Sequence, residues 1–160
     1  MKAWIVAAAV AAAALPAAAQ EAAAPAGEVK VAAPKGAHDY GFAGLMARDN
    51  RTDLPPLTLS SGKPVAEGVY KLKSGTYYRI DITSDGTAEL ALSGGDFFRS
   101  IWINEIVVSE IEIRPMGVHS IEFDKAGTAQ MSFIAIVPGT YTLSIPGSHS
   151  ETQTATFVIQ

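Results

Sequence analysis

The chain has 160 residues, with 12 Lys and Arg against 16 Asp and Glu, a formal net charge of −4, and no cysteine. A mildly acidic surface argues against nucleic acid and anionic lipid as partners, because both require clustered positive charge. The absence of cysteine excludes disulfides and a lipidated N-terminal cysteine, so the core alone must stabilise the fold.

The first 19 residues have the layout of a secretory signal peptide. Lys2 is a minimal positive region, an apolar run extends from Trp4 to Leu15, and small residues precede an expected cleavage after Ala19. The run is shorter than the roughly 20 apolar residues of a membrane span. Loss of Lys2 would leave 11 basic and 16 acidic side chains, a net charge of −5. We therefore expect a periplasmic or secreted protein without a membrane span after cleavage.

Residues 20–53 are expected to form a flexible leader and hinge, followed by one domain over residues 54–160. Residues 20–36 are mostly Ala, Pro, Glu, Gly, Val and Lys, a composition that buries too little apolar surface to offset the entropy of ordering. Residues 38–53 are more apolar, so we expect them to lie over the domain, with room for one helical turn.

Short strands punctuated by glycine follow from Leu57 onward. Alternation over Thr76–Thr83 places Tyr78, Ile80 and Ile82 on one face, which indicates a half-buried strand. Asp85-Gly86 then predicts a hairpin to a return strand, because both central positions of a type I′ turn need positive φ. A second hairpin is predicted at residues 124–127.

The segment from Phe97 to Val108 is the most apolar part of the domain and contains Trp102. Its aromatic and branched residues predict a central strand or strand pair. The next segment alternates, so its isoleucines, Ile111 and Ile113, are predicted to face the core. About eight to ten strands, with turn signals at regular spacing and almost no helix, predict an antiparallel β-sandwich.

The segment Pro138-Gly-Thr-Tyr-Thr-Leu-Ser-Ile-Pro-Gly-Ser-His149, with the closing strand Ala155–Ile159, resembles the end of a cupredoxin domain. Cupredoxins are Greek-key β-sandwiches used for copper electron transfer. In that family a Pro-Gly-Thr-Tyr strand leads through a cysteine into a loop with a histidine and a methionine. The resemblance covers residues 65–160 and implies a cupredoxin-like sandwich.

The copper ligands of that family are not preserved in this sequence. A type 1 copper site needs two histidines, a thiolate and a weak axial ligand. The thiolate position falls on Leu143 or Ile145, and the methionine position falls near residues 153–154, where no methionine occurs. No histidine lies at residues 97–102, which leaves His149 as the one matching ligand. A type 1 site is therefore excluded.

Other histidines and methionines are candidate copper ligands. His38 and Met46 could form a loose site on the hinge, since neutral imidazole and thioether both bind copper. His119, beside Met116, would meet His149 if their loops share one end of the sandwich. The competing interpretation is an exposed loop histidine in each case. We expect no cofactor, with copper as the alternative.

Few other residues of the sequence indicate a metal site or an enzyme active site. An acidic stripe that includes Glu105 and Glu112 lacks the spacing of a calcium loop and is better explained as a solvated strand face. The sequence contains none of the common hydrolase, metalloprotease or phosphate-loop motifs.

The sequence thus favours a non-enzymatic binding or accessory module that handles metal or docks a periplasmic protein. The alternatives are a copper carrier that uses histidine and methionine ligands, and an immunoglobulin-like adhesion or assembly domain.

Overall fold

The structure, a computed structural model, describes residues 27–31 and 41–160. The predicted signal peptide and His38 lie outside the described residues. Within the described part of the chain, no helix has the length and apolar character needed to cross a bilayer.

Two β-sheets face each other. The first sheet contains β1 (Thr52–Asp53), β2 (Leu57–Leu59), β4 (Tyr77–Ser84), β6 (Ile101–Val108), β7 (Ile111–Ile113) and β9 (Gly127–Ala135). The second sheet contains β3 (Tyr70–Leu72), β5 (Leu90–Ser93), β8 (Ser120–Phe123), β10 (Gly139–Ser144) and β11 (Thr154–Ile159). One helix, α1 (Gly95–Arg99), joins β5 to β6, and short 3-10 helices lie at Gly41–Gly44, Arg48–Asn50 and Glu151–Gln153.

The strand order confirms the predicted all-β Greek-key sandwich with little helix. The first sheet runs β1-β4-β9-β6-β7, with β2 also beside β4, and the second runs β3-β11-β10-β5-β8. The chain crosses repeatedly between the sheets, and the described residues contain 11 strands rather than about eight. Both sheets are mixed, because β1 and β2 run parallel to β4 and β3 runs parallel to β11. The parallel pairs in both sheets differ from the arrangement of an immunoglobulin-like domain, which would have two antiparallel sheets.

The alternation predicted for β4 is confirmed. Tyr78, Ile80 and Ile82 are 5%, 1% and 0% exposed and face the core. Tyr77, on the opposite face, is also buried, because the guanidinium of Arg51 lies 5.9 Å from its ring centroid. The side chain of Arg51, the residue before β1, therefore covers part of the outer face of the first sheet.

The prediction that residues 97–108 form only strand is wrong at its beginning, where α1 stands. Phe97 and Phe98 are both buried, whereas neighbouring residues of a strand point to opposite faces. A helical turn after Gly94, whose carbonyl accepts a hydrogen bond from the Phe98 N–H at 3.1 Å, allows both rings to face inward. The Phe97 ring lies 4.3 Å from Phe157 of the second sheet and 5.9 Å from Phe133 of the first, centroid to centroid.

Three apolar residues of β6 and β7 are exposed, although Ile111 and Ile113 lie on the inward face of the first sheet, as their alternation predicts. Trp102 is 48% exposed, because Ile101 and Ile103 take the core-facing positions of β6 and leave the residue between them on the outer face. Ile111 and Ile113 are 65% and 46% exposed, because β7 is the edge strand of its sheet.

Both predicted hairpins are wrong, because each turn leads from one sheet to the other. The Asp85-Gly86 turn connects β4 to β5, and residues 124–127 connect β8 to β9. Gly86 has φ +74°, and a Cβ there would lie 2.7 Å from the Ala126 nitrogen, so glycine permits the two crossings to approach. The two-residue hairpin turn is instead Ser109-Glu110, with φ 48° and 68°.

Part of the predicted leader also contacts the sandwich. Glu28 forms a parallel bridge with Val69, and the Glu28 carboxylate lies 2.8 Å from the Lys71 ammonium. Val29 is 7% exposed. Residues 27–31 therefore lie beside the edge strand β3, although their composition predicts a flexible segment.

Because Phe97 is buried and Trp102 is half exposed, truncation of the two side chains should lower the stability of the fold by different amounts. Phe97→Ala should lower the free energy of unfolding by about 3–5 kcal/mol, because it removes a buried ring that contacts both sheets. Trp102→Ala should cost less than about 1 kcal/mol, as surface substitutions usually do. Urea unfolding followed by circular dichroism measures both. A loss for Trp102→Ala as large as that for Phe97→Ala would contradict the placement of β6.

Candidate functional site

The predicted cupredoxin-like ending is present in the fold. β10 is paired in register with β11, from Gly139 opposite Ile159 to Ser144 opposite Thr154, and the loop carrying His149 joins the two strands. Leu143 and Ile145, at the family's thiolate position, are 0% and 8% exposed and belong to the core. Buried aliphatic side chains offer no donor atom, so these residues do not fit a type 1 copper centre.

The other candidate ligands are not brought together. His149 and His119 are both exposed. β10 runs antiparallel to β5 and ends at Ser144, opposite Ser93, so the chain leaves β10 in the direction of Leu92. The carbonyl of His119 instead accepts a hydrogen bond from the Gly94 N–H at 3.3 Å, on the other side of Ser93. The two histidines therefore lie in opposite directions from Ser93.

The methionines are equally dispersed. Met46 is 39% exposed, Met116 is fully exposed, and Met131 is buried in the core, as predicted. Among the described residues, no group of three or more His, Cys, Asp or Glu side chains is placed to hold a metal ion. His38 lies outside the described residues.

A groove of about 1140 Å³ lies on the outer face of the second sheet. Its floor, which we call the hydroxyl floor, consists of Thr142 and Ser144 on β10 and Thr154 and Thr156 on β11. Its border is formed by residues 63–69 and by the loop residues 148–152. Among the candidate ligands predicted from the sequence, His149 is one of its lining residues.

The register of β10 and β11 makes the hydroxyl floor a regular array. Thr142 is opposite Thr156, and Ser144 is opposite Thr154. Residues two apart on a strand repeat at about 6.8 Å, and directly opposite Cβ atoms lie about 5 Å apart. No hydrogen bond joins these four hydroxyls to another group in the described parts of the chain. All four are free to donate and accept.

The border of the groove is fixed by hydrogen bonds between segments distant in sequence. The backbone N–H of Val65 donates to the carbonyl of Thr152 at 2.7 Å, and the side-chain amide of Gln153 donates to the carbonyl of Lys63 at 2.8 Å. The Thr58 N–H also donates to the Val65 carbonyl at 2.9 Å. These bonds hold residues 63–65 against the His149 loop, so the groove is largely pre-formed.

Asp85 contacts the chain on both sides of Gly62, through Ser60 and Lys63. Its carboxylate accepts hydrogen bonds from the Ser60 hydroxyl at 2.5 Å and the Thr87 hydroxyl at 2.7 Å, and Lys63 lies at 3.8 Å. The bond from Ser60, then those from Thr87, lower the pKa of Asp85 to about 2. The carboxylate is therefore the form that fits this position.

The charges along the border are few and mixed. Lys63, Glu67 and Glu151 line the groove together with His149. Burial, reinforced by the negative charge of Glu67, raises the pKa of Tyr70 beneath the border to about 12. Eight of the 18 lining residues carry hydroxyl groups, so hydrogen bonding rather than charge dominates the site.

The hydroxyls near His149 bond within the loop. The Ser150 N–H donates to the Ser148 hydroxyl at 3.4 Å, and the hydroxyls of Ser150 and Thr152 lie 2.8 Å apart. Among the described residues no hydrogen bond joins the His149 imidazole to a serine, which is the contact a nucleophile and its base require.

The sequence carried a signal for the hydroxyl floor. Residues 140–144 read Thr-Tyr-Thr-Leu-Ser, and residues 152–156 read Thr-Gln-Thr-Ala-Thr. Within β10 and β11, alternation by two places the threonine and serine hydroxyls of these segments on one face. The register that pairs them and the border supplied by residues 63–69 could not be read from either segment.

No family model and no curated protein matches the chain. The chain is similar to a solved multi-copper oxidase from Pseudomonas thermotolerans, at 19% identity and a TM-score of 0.45, over 64% of this chain and 24% of that one. It is also similar to a copper nitrite reductase from Nitrosomonas europaea, at 19% identity and a TM-score of 0.44, over 59% and 34%. A third match, a multicopper oxidase, has 9% identity and a TM-score of 0.47, over 70% and 44%. The chain therefore spans less than half the length of each of these proteins, and similarity at this level transfers neither copper nor activity to it.

The hydrogen bonds to Asp85 predict its titration. An acid whose pKa is lowered on folding contributes stability above its ordinary pKa of 3.8, and that contribution is lost as the pH falls through about 2. Ser60→Ala should raise the pKa of Asp85 towards 3.8, because it removes the strongest of these bonds. Carbon-detected NMR of the carboxyl group measures both midpoints.

Ser120→Ala, at an exposed serine of β8 in the second sheet, is the control and should leave the midpoint of Asp85 unchanged. A wild-type midpoint close to 3.8 would show that the Ser60 and Thr87 bonds do not form in solution.

Proposed function

We propose that the chain is an exported, non-enzymatic, cupredoxin-like binding module, and that the groove over the hydroxyl floor binds a neutral, hydroxyl-rich ligand of the carbohydrate class. The observation that carries the proposal is the array of four unpartnered hydroxyls, Thr142, Ser144, Thr154 and Thr156, inside a bordered groove. A hydroxyl both donates and accepts, which is also the hydrogen-bonding character of a sugar.

The groove is poorly suited to other ligand classes. One lysine and two glutamates line it, so it lacks the clustered cations that phosphates and carboxylates require. It contains no aromatic side chain on which a base would stack. Peptides often add as a strand to a free sheet edge, but β10 and β11 each have a strand on both sides. Recognition over the floor therefore depends on side-chain hydroxyls.

The non-enzymatic assignment is supported by the chemistry around His149. Its neighbouring hydroxyls bond to each other and to the backbone. Export is supported by the signal-like layout of residues 1–19. We place the module in the periplasm or outside the cell, where carbohydrate polymers are plentiful.

Copper is the alternative ligand. His149 is the sole imidazole among the residues that line the groove, with Glu67 and Glu151 as the acidic side chains there. A copper carrier would require His149 to bind with further ligands, and His149→Ala would then abolish binding. Calorimetric titration of the mature protein with copper therefore separates the two candidates: copper binding tighter than micromolar favours the carrier.

The carbohydrate proposal predicts binding of at least one tetrasaccharide among cellotetraose, maltotetraose and chitotetraose. Chemical-shift mapping should place the perturbed amides on β10, β11 and residues 63–69. Replacing Thr142 and Thr156 together by the near-isosteric valine should weaken binding by about tenfold or more, because each lost hydrogen bond is worth about 1 kcal/mol.

The matched control replaces Thr83 and Thr128 by valine. These threonines form a cross-strand pair on the outer face of the first sheet, with their hydroxyls 3.1 Å apart, and the change should leave affinity unaltered. Absence of binding to the whole panel at millimolar concentration would overturn the carbohydrate assignment. Equal losses in the two double variants would show that the floor is not the site.

A further inference from the structure

The edge strand β7 exposes apolar side chains on the core-side face of the first sheet. Val108, Ile111 and Ile113 are 37%, 65% and 46% exposed. Ile113 is opposite the buried Ile106, and Ile111 is opposite Val108, so all of them lie on the face that elsewhere packs against the second sheet. An uncovered apolar edge strand is a template for pairing with another chain.

The hairpin determines which backbone groups of β7 are free. The turn Ser109-Glu110 joins Val108 to Ile111, which are therefore a hydrogen-bonded pair. Opposite pairs alternate along an antiparallel ladder, so Glu112 and Val107 form a pair without mutual hydrogen bonds. The N–H and C=O of Glu112 consequently point away from β6, towards the open edge.

We propose that β7 pairs with β7 of a second copy of this chain, antiparallel, about a two-fold axis at Glu112. The N–H and C=O groups of the two Glu112 residues then bond to each other. Ile111 lies opposite Ile113 of the second copy, and Glu110, in the turn before β7, comes near its Arg114, which follows β7. This proposal is independent of the ligand of the groove.

The charges favour a second copy over an unrelated strand. Glu110 and Arg114 have opposite charge and flank Glu112 at equal distance, so a two-fold axis there brings each beside its complement. The two central glutamates would repel, but the Arg114 guanidinium lies 3.1 Å from Glu112 and 3.0 Å from Glu105 of its own chain. The charged residues around β7 can therefore pair with those of a second β7 strand.

Neighbouring registers fit less well. An axis at Ile111 places Ile113 opposite Ser109, and an axis at Ile113 places Ile111 opposite Pro115, so each of these registers leaves one isoleucine of every strand without an isoleucine opposite it. The register centred on Glu112 is the one of the three that places both isoleucines of each strand opposite an isoleucine. Because β7 has only three residues, we expect a weak dimer that dissociates on dilution.

The absence of cysteine from the chain allows a direct test by cross-linking. Oxidation of Glu112→Cys should give a covalent dimer on a non-reducing gel, since opposite Cα atoms about 5.5 Å apart suit a disulfide. The matched control is Glu122→Cys, an exposed glutamate within β8, the edge strand of the second sheet, which should stay monomeric. Circular dichroism confirms that both variants fold.

The register has its own test. A mixture of the single variants Ile111→Cys and Ile113→Cys should cross-link far more than either variant alone, because the opposite positions are 111 and 113. Equal cross-linking of Glu112→Cys and Glu122→Cys would overturn the proposal as random collision. Wild-type protein that sediments as a monomer at every concentration up to millimolar, with Glu112→Cys also uncross-linked, would overturn it too.

Discussion

The contact between Phe97 and Phe157 is the interaction on which the rest of the structure depends. Phe97 lies in α1, at a crossing between the sheets, and its ring lies 4.3 Å from Phe157 of the second sheet and 5.9 Å from Phe133 of the first. Tyr70 stacks on the other side of this cluster, 4.8 Å from Phe157. In a chain without disulfides, the packing of these rings takes the place of a covalent link between the two layers. It also fixes β11, one of the two strands of the hydroxyl floor.

This core explains why β10 offers no donor atom at the position that the cupredoxin resemblance assigns to a thiolate. β10 presents Leu143 to the core, where a cupredoxin would place its thiolate, and it presents Thr142 and Ser144 to the groove on the other face. Period-two alternation allows both features on one strand, because the inner and the outer residues face different surroundings. The strand keeps its place in the fold, and the polar chemistry lies on the outer face.

Local alternation could be predicted from the sequence, whereas the partner of each strand could not. Tyr78, Ile80 and Ile82 face the core as their spacing indicates. Asp85-Gly86 has the sequence of a hairpin turn, but the same two residues serve a crossing between sheets, where Gly86 permits close approach to Ala126. Trp102 shows the same limit, since strong hydrophobicity predicts burial while its isoleucine neighbours occupy the inward positions. The hydroxyl floor was visible only as two separate alternating segments, because its assembly depends on the pairing of β10 with β11 and on residues 63–69.

The groove and the β7 edge lie on opposite sides of the sandwich. The groove borders β3 and includes Thr58 of β2, whereas β7 is at the far edge of the first sheet from β1 and β2, and is followed in the chain by β8, the far edge of the second sheet. Pairing through β7 would therefore leave both grooves open. Two open grooves on one dimer would bind a repeating polymer more tightly than one, because the second contact forms at a high effective concentration. A site built from side-chain hydroxyls would bind a single sugar segment weakly, and it would therefore gain most from being presented twice.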